Sequence, residues 1–203
     1  MAPVYAKPSS WRASPERGRP GRETPCRVNK FLASFSVAGL LLAAGCSRQP
    51  ADVPDPATRE TVWVAIQPHA ARYRIDPAFI YALVAAESNF DPRARNGDAR
   101  GLLQLKPAAW REVNHTPYEP AVWDWRQNLA TGVDYLAWCR SYLHKKGKFS
   151  YPLLLASFHY GMDQVEQRGF DLGRLAVPAS PVYRELWRGN LAPVPPPNVQ
   201  IPR

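Results

Sequence analysis

The chain has 203 residues, of which 45% are hydrophobic and 21% are charged. This length and composition fit one globular domain with tails, and they exclude a long disordered chain and a multidomain protein. The formal charge is +9 at pH 7, but residues 1–45 supply more than half of it. The remainder of the chain is therefore only mildly basic, which does not indicate nucleic-acid binding.

An apolar segment near the N-terminus has the features of a secretory signal. Residues 31–45 are almost wholly apolar, follow Arg27 and Lys30, and end in small residues. The run is shorter than the ~20 residues of a membrane-spanning helix, so we predict a signal segment over residues 1–45. The region before Arg27 is long and proline-rich for a signal, and we therefore expect translation to begin at Val28.

A cysteine follows directly after the apolar run. The sequence Leu42-Ala43-Ala44-Gly45-Cys46 resembles the bacterial lipobox, in which the chain is cleaved before a cysteine that is then lipidated. The resemblance implies a membrane anchor on Cys46 and a tether over residues 46–57. Because Ser47 follows the cysteine, we expect the periplasmic face of the outer membrane of a Gram-negative bacterium. The alternative is an ordinary signal peptide whose cysteine has no function.

Between the two tails, the apolar residues recur with helical spacing and there is almost no alternating strand pattern. The pattern predicts a helix over residues 58–74, broken or kinked near Pro68, and a second from Pro77, capped by Asp76. Further helices are predicted from Pro107 through Trp110, from Leu129 to Leu143 with Gly132 allowing close packing, from Tyr151 to Tyr160 with an end at Gly161, and over residues 181–188. The expected fold class is all-α, in one domain over residues 58–190 followed by a proline-rich tail over residues 191–203.

One carboxylate lies on the apolar face of the second predicted helix. This face is formed by positions i, i+3, i+4 and i+7, which are Ile80, Leu83, Val84 and Glu87. Burial disfavours the charged form of a carboxylic acid, so the pKa of Glu87 should rise into the range of a general acid at neutral pH. The alternative is a buried glutamate that caps a helix or pairs with an arginine.

Several segments resemble the soluble lytic transglycosylase (SLT) family. Residues 87–94 read ESNFDPRA and residues 99–107 read ARGLLQLKP, against the family pattern ESxFxPxA…GAxGLMQLxP. Residues 124–136, DWRQNLATGVDYL, resemble the family's DPxxNIxxGxxYL, and Tyr183 stands where the family has a sugar-site tyrosine. The resemblance covers residues 60–190. It implies a single SLT domain of the α+β lysozyme-like superfamily, related to goose-type lysozyme.

The resemblance also implies a reaction and its residues. Glu87 would protonate the β-1,4 bond between N-acetylmuramic acid (MurNAc) and N-acetylglucosamine (GlcNAc) in peptidoglycan glycan strands. It would then deprotonate the C6 hydroxyl to close a 1,6-anhydro ring without water. Substrate contacts are expected from Ser88, Asn96, Gln104, Phe158, His159 and Tyr183. No cofactor or metal is expected, and Asp91 and Asp98 are interpreted as turn residues, not as a second catalytic carboxylate.

The chain departs from the family at the third motif. Ser157-Phe158-His159-Tyr160-Gly161 stands where the family has Ala-Tyr-Asn-Ala-Gly, so the tyrosine hydroxyl that contacts the catalytic acid is absent at Phe158. Its absence should leave the pKa of Glu87 higher than in relatives. His159 is either a hydrogen-bond donor in the sugar groove or a packing histidine. Two other functions stay open: a peptidoglycan-binding or scaffold protein with a degenerate site, and a hydrolase like goose-type lysozyme.

Overall fold

The structure is a computed structural model that describes residues 56–199. The predicted signal segment, the start at Val28, the anchor at Cys46 and most of the tether lie outside the described residues, as do residues 200–203 of the tail. Those expectations therefore stay predictions. Within residues 56–199, no helix is both long enough and apolar enough to cross a membrane.

Helices account for most of the described residues. In chain order the elements are α1 (Arg59–Tyr73), α2 (Pro77–Ser88), β1 (Arg95–Asn96), β2 (Ala99–Arg100), α3 (Pro107–Val113), α4 (Tyr118–Ala121), α5 (Trp125–Lys145), α6 (Tyr151–Tyr160), α7 (Met162–Gln167), a 3-10 turn (Leu172–Arg174) and α8 (Pro181–Trp187). The two strands form an antiparallel hairpin in which Arg95 pairs with Arg100 and Asn96 with Ala99. The predicted all-α class is confirmed, and this hairpin is the one sheet in the described part of the chain.

The first helix begins with a reciprocal cap and continues through a proline. Thr61 donates its amide to Thr58 Oγ1 at 3.2 Å, and Thr58 donates its amide to Thr61 Oγ1 at 2.9 Å. The predicted break at Pro68 is wrong, because α1 runs without interruption to Tyr73. Pro68 is exposed, so water can bond the carbonyl of Val64 that the missing proline N–H leaves without a donor.

The longest helix, α5, packs against α1, α3 and α6. It begins four residues before its predicted start, because Asp124 Oδ1 caps it by accepting from the amides of Arg126 and Gln127. Gly132 of α5 lies directly against Leu103, and a Cβ on Gly132 would come within 2.3 Å of Leu103 Cδ1. The close packing predicted at Gly132 is confirmed.

Four short elements were not predicted from the sequence: the hairpin, α4, α7 and the 3-10 turn. The helix α7 directly follows Gly161, whose φ of 87° ends α6. Because this glycine indicates the end of a helix, the sequence does not indicate that another helix begins at the next residue. The helix α4 has only four residues, and Glu119 inside it is extended. Periodicity needs a longer window than these elements provide.

Candidate active site

Glu87 lies in the last turn of α2, on the side of the helix that faces the core. Ile80, Leu83 and Val84, which precede it on this face, are fully buried, and Glu87 itself is half-buried. The chain then turns away at Asn89, whose backbone is left-handed with a φ of 50°. The carboxyl group is thus held at the end of a buried helix, as the spacing of apolar residues predicts.

A tyrosine of the last helix contacts this carboxyl group. Tyr183 Oη donates a hydrogen bond to Glu87 Oε1. Tyr183 is only 3% exposed, and α8, which carries it, packs against α2. Among the described residues, Glu87 Oε2 has no hydrogen-bond partner. One carboxyl oxygen is therefore held by the protein, and the other is not.

Burial sets the protonation state of Glu87. Desolvation raises the pKa of Glu87 from 4.5 to about 7, against the opposing effects of the Tyr183 hydrogen bond and the positive charge of Lys106. At neutral pH the acid and the carboxylate are both populated. A carboxyl group with such a pKa can donate a proton near neutral pH and can take it back.

Two neighbouring residues of the third motif, Phe158 and His159, face different helices. The Phe158 ring packs against the Tyr135 ring of α5, with 5.7 Å between centroids. The next residue, His159, faces α8, and its Nδ1 lies 3.2 Å from Tyr183 Oη. Successive side chains on a helix point about 100° apart, so these two reach different neighbours. Position 158 therefore brings no hydroxyl to Glu87, and the tyrosine hydroxyl that contacts the acid belongs to Tyr183.

A buried asparagine holds the segment 101–105, here called the GLLQL loop. Asn128 of α5 is fully buried, and its Oδ1 accepts from the Leu103 amide at 2.9 Å. Its Nδ2 donates to the carbonyl of Arg100 at 3.0 Å and to the carbonyl of Val122 at 3.1 Å. The Asn128 side chain therefore connects α5 to the hairpin, the GLLQL loop and the end of α4.

The side chain of Gln104 also stabilises the GLLQL loop. Its backbone is left-handed with a φ of 43°, and its Nε2 donates to the carbonyls of Ala94 at 3.0 Å and Gly101 at 2.8 Å. Gly101 allows this arrangement, because its φ is 76° and a Cβ there would lie 2.3 Å from Asn128 Nδ2. The amide nitrogen of Gln104 thus shapes the loop, and its contact with sugar stays a prediction.

The other residues expected at the site lie in local turns or on the surface. Ser88 is half-buried and its Oγ donates to the Val84 carbonyl at 3.2 Å, while Asn96 is exposed in β1. Their contacts with substrate also stay predictions. Asp91 Oδ1 accepts from the amide two residues later at 2.8 Å, and Asp98 lies in the turn of the hairpin. Both carboxylates are turn residues, as predicted.

Two residues that shape the site were not singled out from the sequence. Lys106 acts on both Glu87 and His159 through its positive charge, and Asn128 supports the GLLQL loop. The signal for Asn128 is a polar residue on the buried face of an amphipathic helix, inside the DWRQNL segment. Within residues 56–199, no group of three or more His, Cys, Asp or Glu side chains is placed to hold a metal ion.

Comparisons with known proteins bear on this site. Residues 65–170 match the Transglycosylase SLT domain family. A protein named Transglycosylase from Enterobacteria phage PRD1 is 33% identical over 104 residues, which are 50% of this chain and 36% of the phage protein. The X-ray structure of an inactive mutant of the lytic transglycosylase Slt from Pseudomonas aeruginosa aligns with a TM-score of 0.45 and 21% identity, over 63% of this chain and 22% of that chain.

The region matched to the family includes Glu87, the GLLQL loop and His159, while Tyr183 lies beyond it. This chain covers only 36% of the phage protein's length, so that similarity concerns one part of a longer relative. The family match itself extends over more than half of this chain. The chain therefore belongs to the Transglycosylase SLT domain family.

Proposed function

We propose that this protein is a peptidoglycan lytic transglycosylase that cleaves the MurNAc-β-1,4-GlcNAc bond without water and leaves 1,6-anhydro-MurNAc ends. The observation that carries the proposal is the half-buried carboxyl group of Glu87, with a pKa of about 7 and one oxygen held by Tyr183. Membership of the SLT family supports a glycan-strand substrate.

In the first step Glu87 acts as a general acid. Its Oε2 donates a proton to the glycosidic oxygen, the bond between that oxygen and the muramoyl C1 breaks, and GlcNAc leaves with a new 4-hydroxyl group. By resemblance to the family, the muramoyl N-acetyl group stabilises the cationic C1. The Tyr183 hydrogen bond on Oε1 stabilises the carboxylate that this step creates.

In the second step the same carboxylate acts as a base. The C6 hydroxyl of MurNAc attacks C1, its proton passes to Glu87, and the 1,6-anhydro ring closes. The acid is regenerated and no water is consumed. Most glycosidases need a second carboxylate as nucleophile or base, but Asp91 and Asp98 serve turns here. A mechanism that returns the proton to one acid fits this arrangement.

The test is a digest of purified peptidoglycan, with products analysed by mass spectrometry. The unsubstituted protein should release muropeptides that end in 1,6-anhydro-MurNAc, each lighter by one water than the product of a hydrolase. Glu87→Gln should lower the rate by about 10²–10⁴ or more, since it keeps shape but cannot cycle a proton. Glu112→Gln, an exposed glutamate of α3, is the matched control and should retain activity.

The other two functions give different digests. Products with reducing MurNAc ends would mean a hydrolase like goose-type lysozyme. No cleavage by the unsubstituted protein, together with retained binding to peptidoglycan, would mean a binding or scaffold protein. Cleavage by Glu87→Gln at the unsubstituted rate would remove Glu87 from the mechanism.

We further propose that the protein is a lipoprotein anchored through Cys46 at the periplasmic face of the outer membrane. The support is the lipobox-like sequence that ends at Cys46, followed by Ser47. Cys46→Ala should release the protein from the outer-membrane fraction, because it removes the acyl chains that bind the bilayer by ~0.8 kcal/mol per buried methylene. Ser47→Ala, at the neighbouring position, should leave it membrane-bound. If the same share of Cys46→Ala stays in the outer-membrane fraction, the anchor lies elsewhere in the chain.

A further inference from the structure

The hydrogen-bonded chain at the active site extends one residue beyond Tyr183. His159, at the C-terminal end of α6, places Nδ1 3.2 Å from Tyr183 Oη, with 5.0 Å between the two ring centroids. Tyr183 has a single hydroxyl proton, which it donates to Glu87. Its oxygen can then only accept from His159, so Nδ1 must carry a proton. The direction of the chain is therefore from His159 to Tyr183 to Glu87.

The surroundings of His159 favour a neutral ring. The titratable groups that face it are Tyr183 on α8, Tyr160 on its own helix, and Lys106 before α3. Partial burial, and then the positive charge of Lys106, lower the pKa of His159. A neutral histidine that donates from Nδ1 has no proton on Nε2. The hydrogen bond to Tyr183 thus selects one of the two neutral tautomers.

We propose that His159 is a positioning residue that acts on Glu87 through Tyr183. By donating from Nδ1 to Tyr183 Oη, it directs the tyrosine hydroxyl proton towards Glu87 Oε1 and stabilises the carboxylate form of Glu87. For its catalytic consequence this inference rests on the proposed function, but the hydrogen-bonded chain does not depend on it.

The other neutral tautomer of His159, with its proton on Nε2, would destabilise the carboxylate form of Glu87. A histidine protonated only on Nε2 would accept at Nδ1, and the Tyr183 hydroxyl would then have two competing acceptors, Glu87 and His159. The carboxylate would lose stabilisation whenever the hydroxyl turned away. Within residues 56–199, the side chains that act on the pKa of Glu87 are Tyr183 and Lys106, so the orientation of the Tyr183 hydroxyl strongly affects the pKa of Glu87.

The test uses the mature protein in solution and needs no substrate. His159→Phe keeps an aromatic ring against Tyr160 and Tyr183 but removes the donor. His159→Asn restores an N–H donor and is the residue that the family pattern has at this position. The pKa of Glu87 is measured from the pH dependence of its carboxyl ¹³C resonance, assigned with Glu87→Gln. The tautomer of His159 is read from its ¹⁵N resonances at neutral pH.

We expect the ¹⁵N spectrum to show a protonated Nδ1 and an unprotonated Nε2. His159→Phe should lower the ionisation constant of Glu87 by about threefold or more, so that its pKa rises, and His159→Asn should restore the original value. In a Tyr183→Phe background, His159→Phe should have no further effect, since the intermediate hydroxyl is gone. This double-mutant comparison separates coupling through Tyr183 from a direct effect of the ring on Glu87.

Three results would overturn the inference: an Nε2-protonated His159, an unchanged pKa of Glu87 in His159→Phe, or an equal change in the Tyr183→Phe background. Activity gives an independent readout. Because the protonated acid starts the reaction, cleavage should fall as pH rises through the pKa of Glu87, and His159→Phe should move this alkaline limb of kcat/KM upward. If the protein cleaves no glycan but the resonances behave as expected, the proposed function fails and the positioning role stands.

Discussion

Replacing Glu87 by glutamine should stabilise the protein, and the gain should depend on pH. The pKa of Glu87 rises from 4.5 to about 7 on folding because burial removes water from the charged form. Between these values the folded state binds more protons than the unfolded state, so stability falls as pH rises. Glutamine carries no charge at any pH, and its side-chain oxygen can still accept from Tyr183. The variant therefore avoids the cost of the buried carboxylate.

The size of the effect follows from the same pKa values. Each pH unit between the unfolded and folded pKa contributes about 1.4 kcal/mol, so the carboxylate costs about 3 kcal/mol once the pH exceeds 7. This is an upper value, because solvent reaches the half-buried side chain and screens part of the penalty. Proteins typically have an unfolding free energy of roughly 5–15 kcal/mol, so the charged form of Glu87 lowers it by a substantial fraction.

Urea unfolding of the two proteins from pH 4 to pH 8.5 measures this difference. The unfolding free energies should differ least at pH 4, where both side chains are neutral, and the glutamine variant should gain steadily up to about pH 7.5. Glu112→Gln, on the exposed surface of α3, controls for general charge effects and should show a much smaller pH dependence. A difference between Glu87→Gln and the unsubstituted protein that stays constant across this range would refute the assigned burial of the charge.

Three further substitutions test the support of the site. Asn128→Leu should cost about 3 kcal/mol or more in urea unfolding, because it leaves the Leu103 amide without a partner in the interior and removes two further hydrogen bonds; a cost below 1 kcal/mol would mean that the loop finds other partners. Gly132→Ala should lower stability by about 1–3 kcal/mol, since its Cβ would lie 2.3 Å from Leu103 Cδ1, and a rise in Tm would show that Leu103 can move aside. Phe158→Tyr should leave the pH profile of cleavage unchanged, because Tyr183 already donates to Glu87. A shifted pH profile would mean that the hydroxyl introduced at position 158 also contacts the Glu87 carboxyl group.

The features that could be predicted from the sequence are those that depend on neighbouring residues. The position of Glu87 followed from helical spacing, the end of α6 from Gly161, and the tight packing at Gly132 from a glycine in a long amphipathic helix. Each of these signals lies within a few residues of the feature that it predicts. Burial of the acid then followed from the apolar character of its helix face.

The features that could not be predicted depend on how distant elements pack. Tyr183 and Glu87 are separated by 96 positions in the sequence, and their hydrogen bond exists because α8 packs on α2. The family pattern marked Tyr183 as a sugar contact, and nothing in the sequence shows that its hydroxyl donates to Glu87. Pro68 likewise remains inside α1 because its side of the helix is exposed, which periodicity around a proline does not reveal.

The hydrogen bonds of Asn128 also determine how far the GLLQL loop can move. Since they tie the GLLQL loop to the interior of α5, the loop cannot open without breaking the core. The amide proton of Leu103 should therefore exchange with solvent only when the whole domain unfolds. A loop that is already ordered loses little conformational entropy when a ligand binds to it. Under the proposed function, most of the entropy cost of ordering on binding would then fall on the glycan strand.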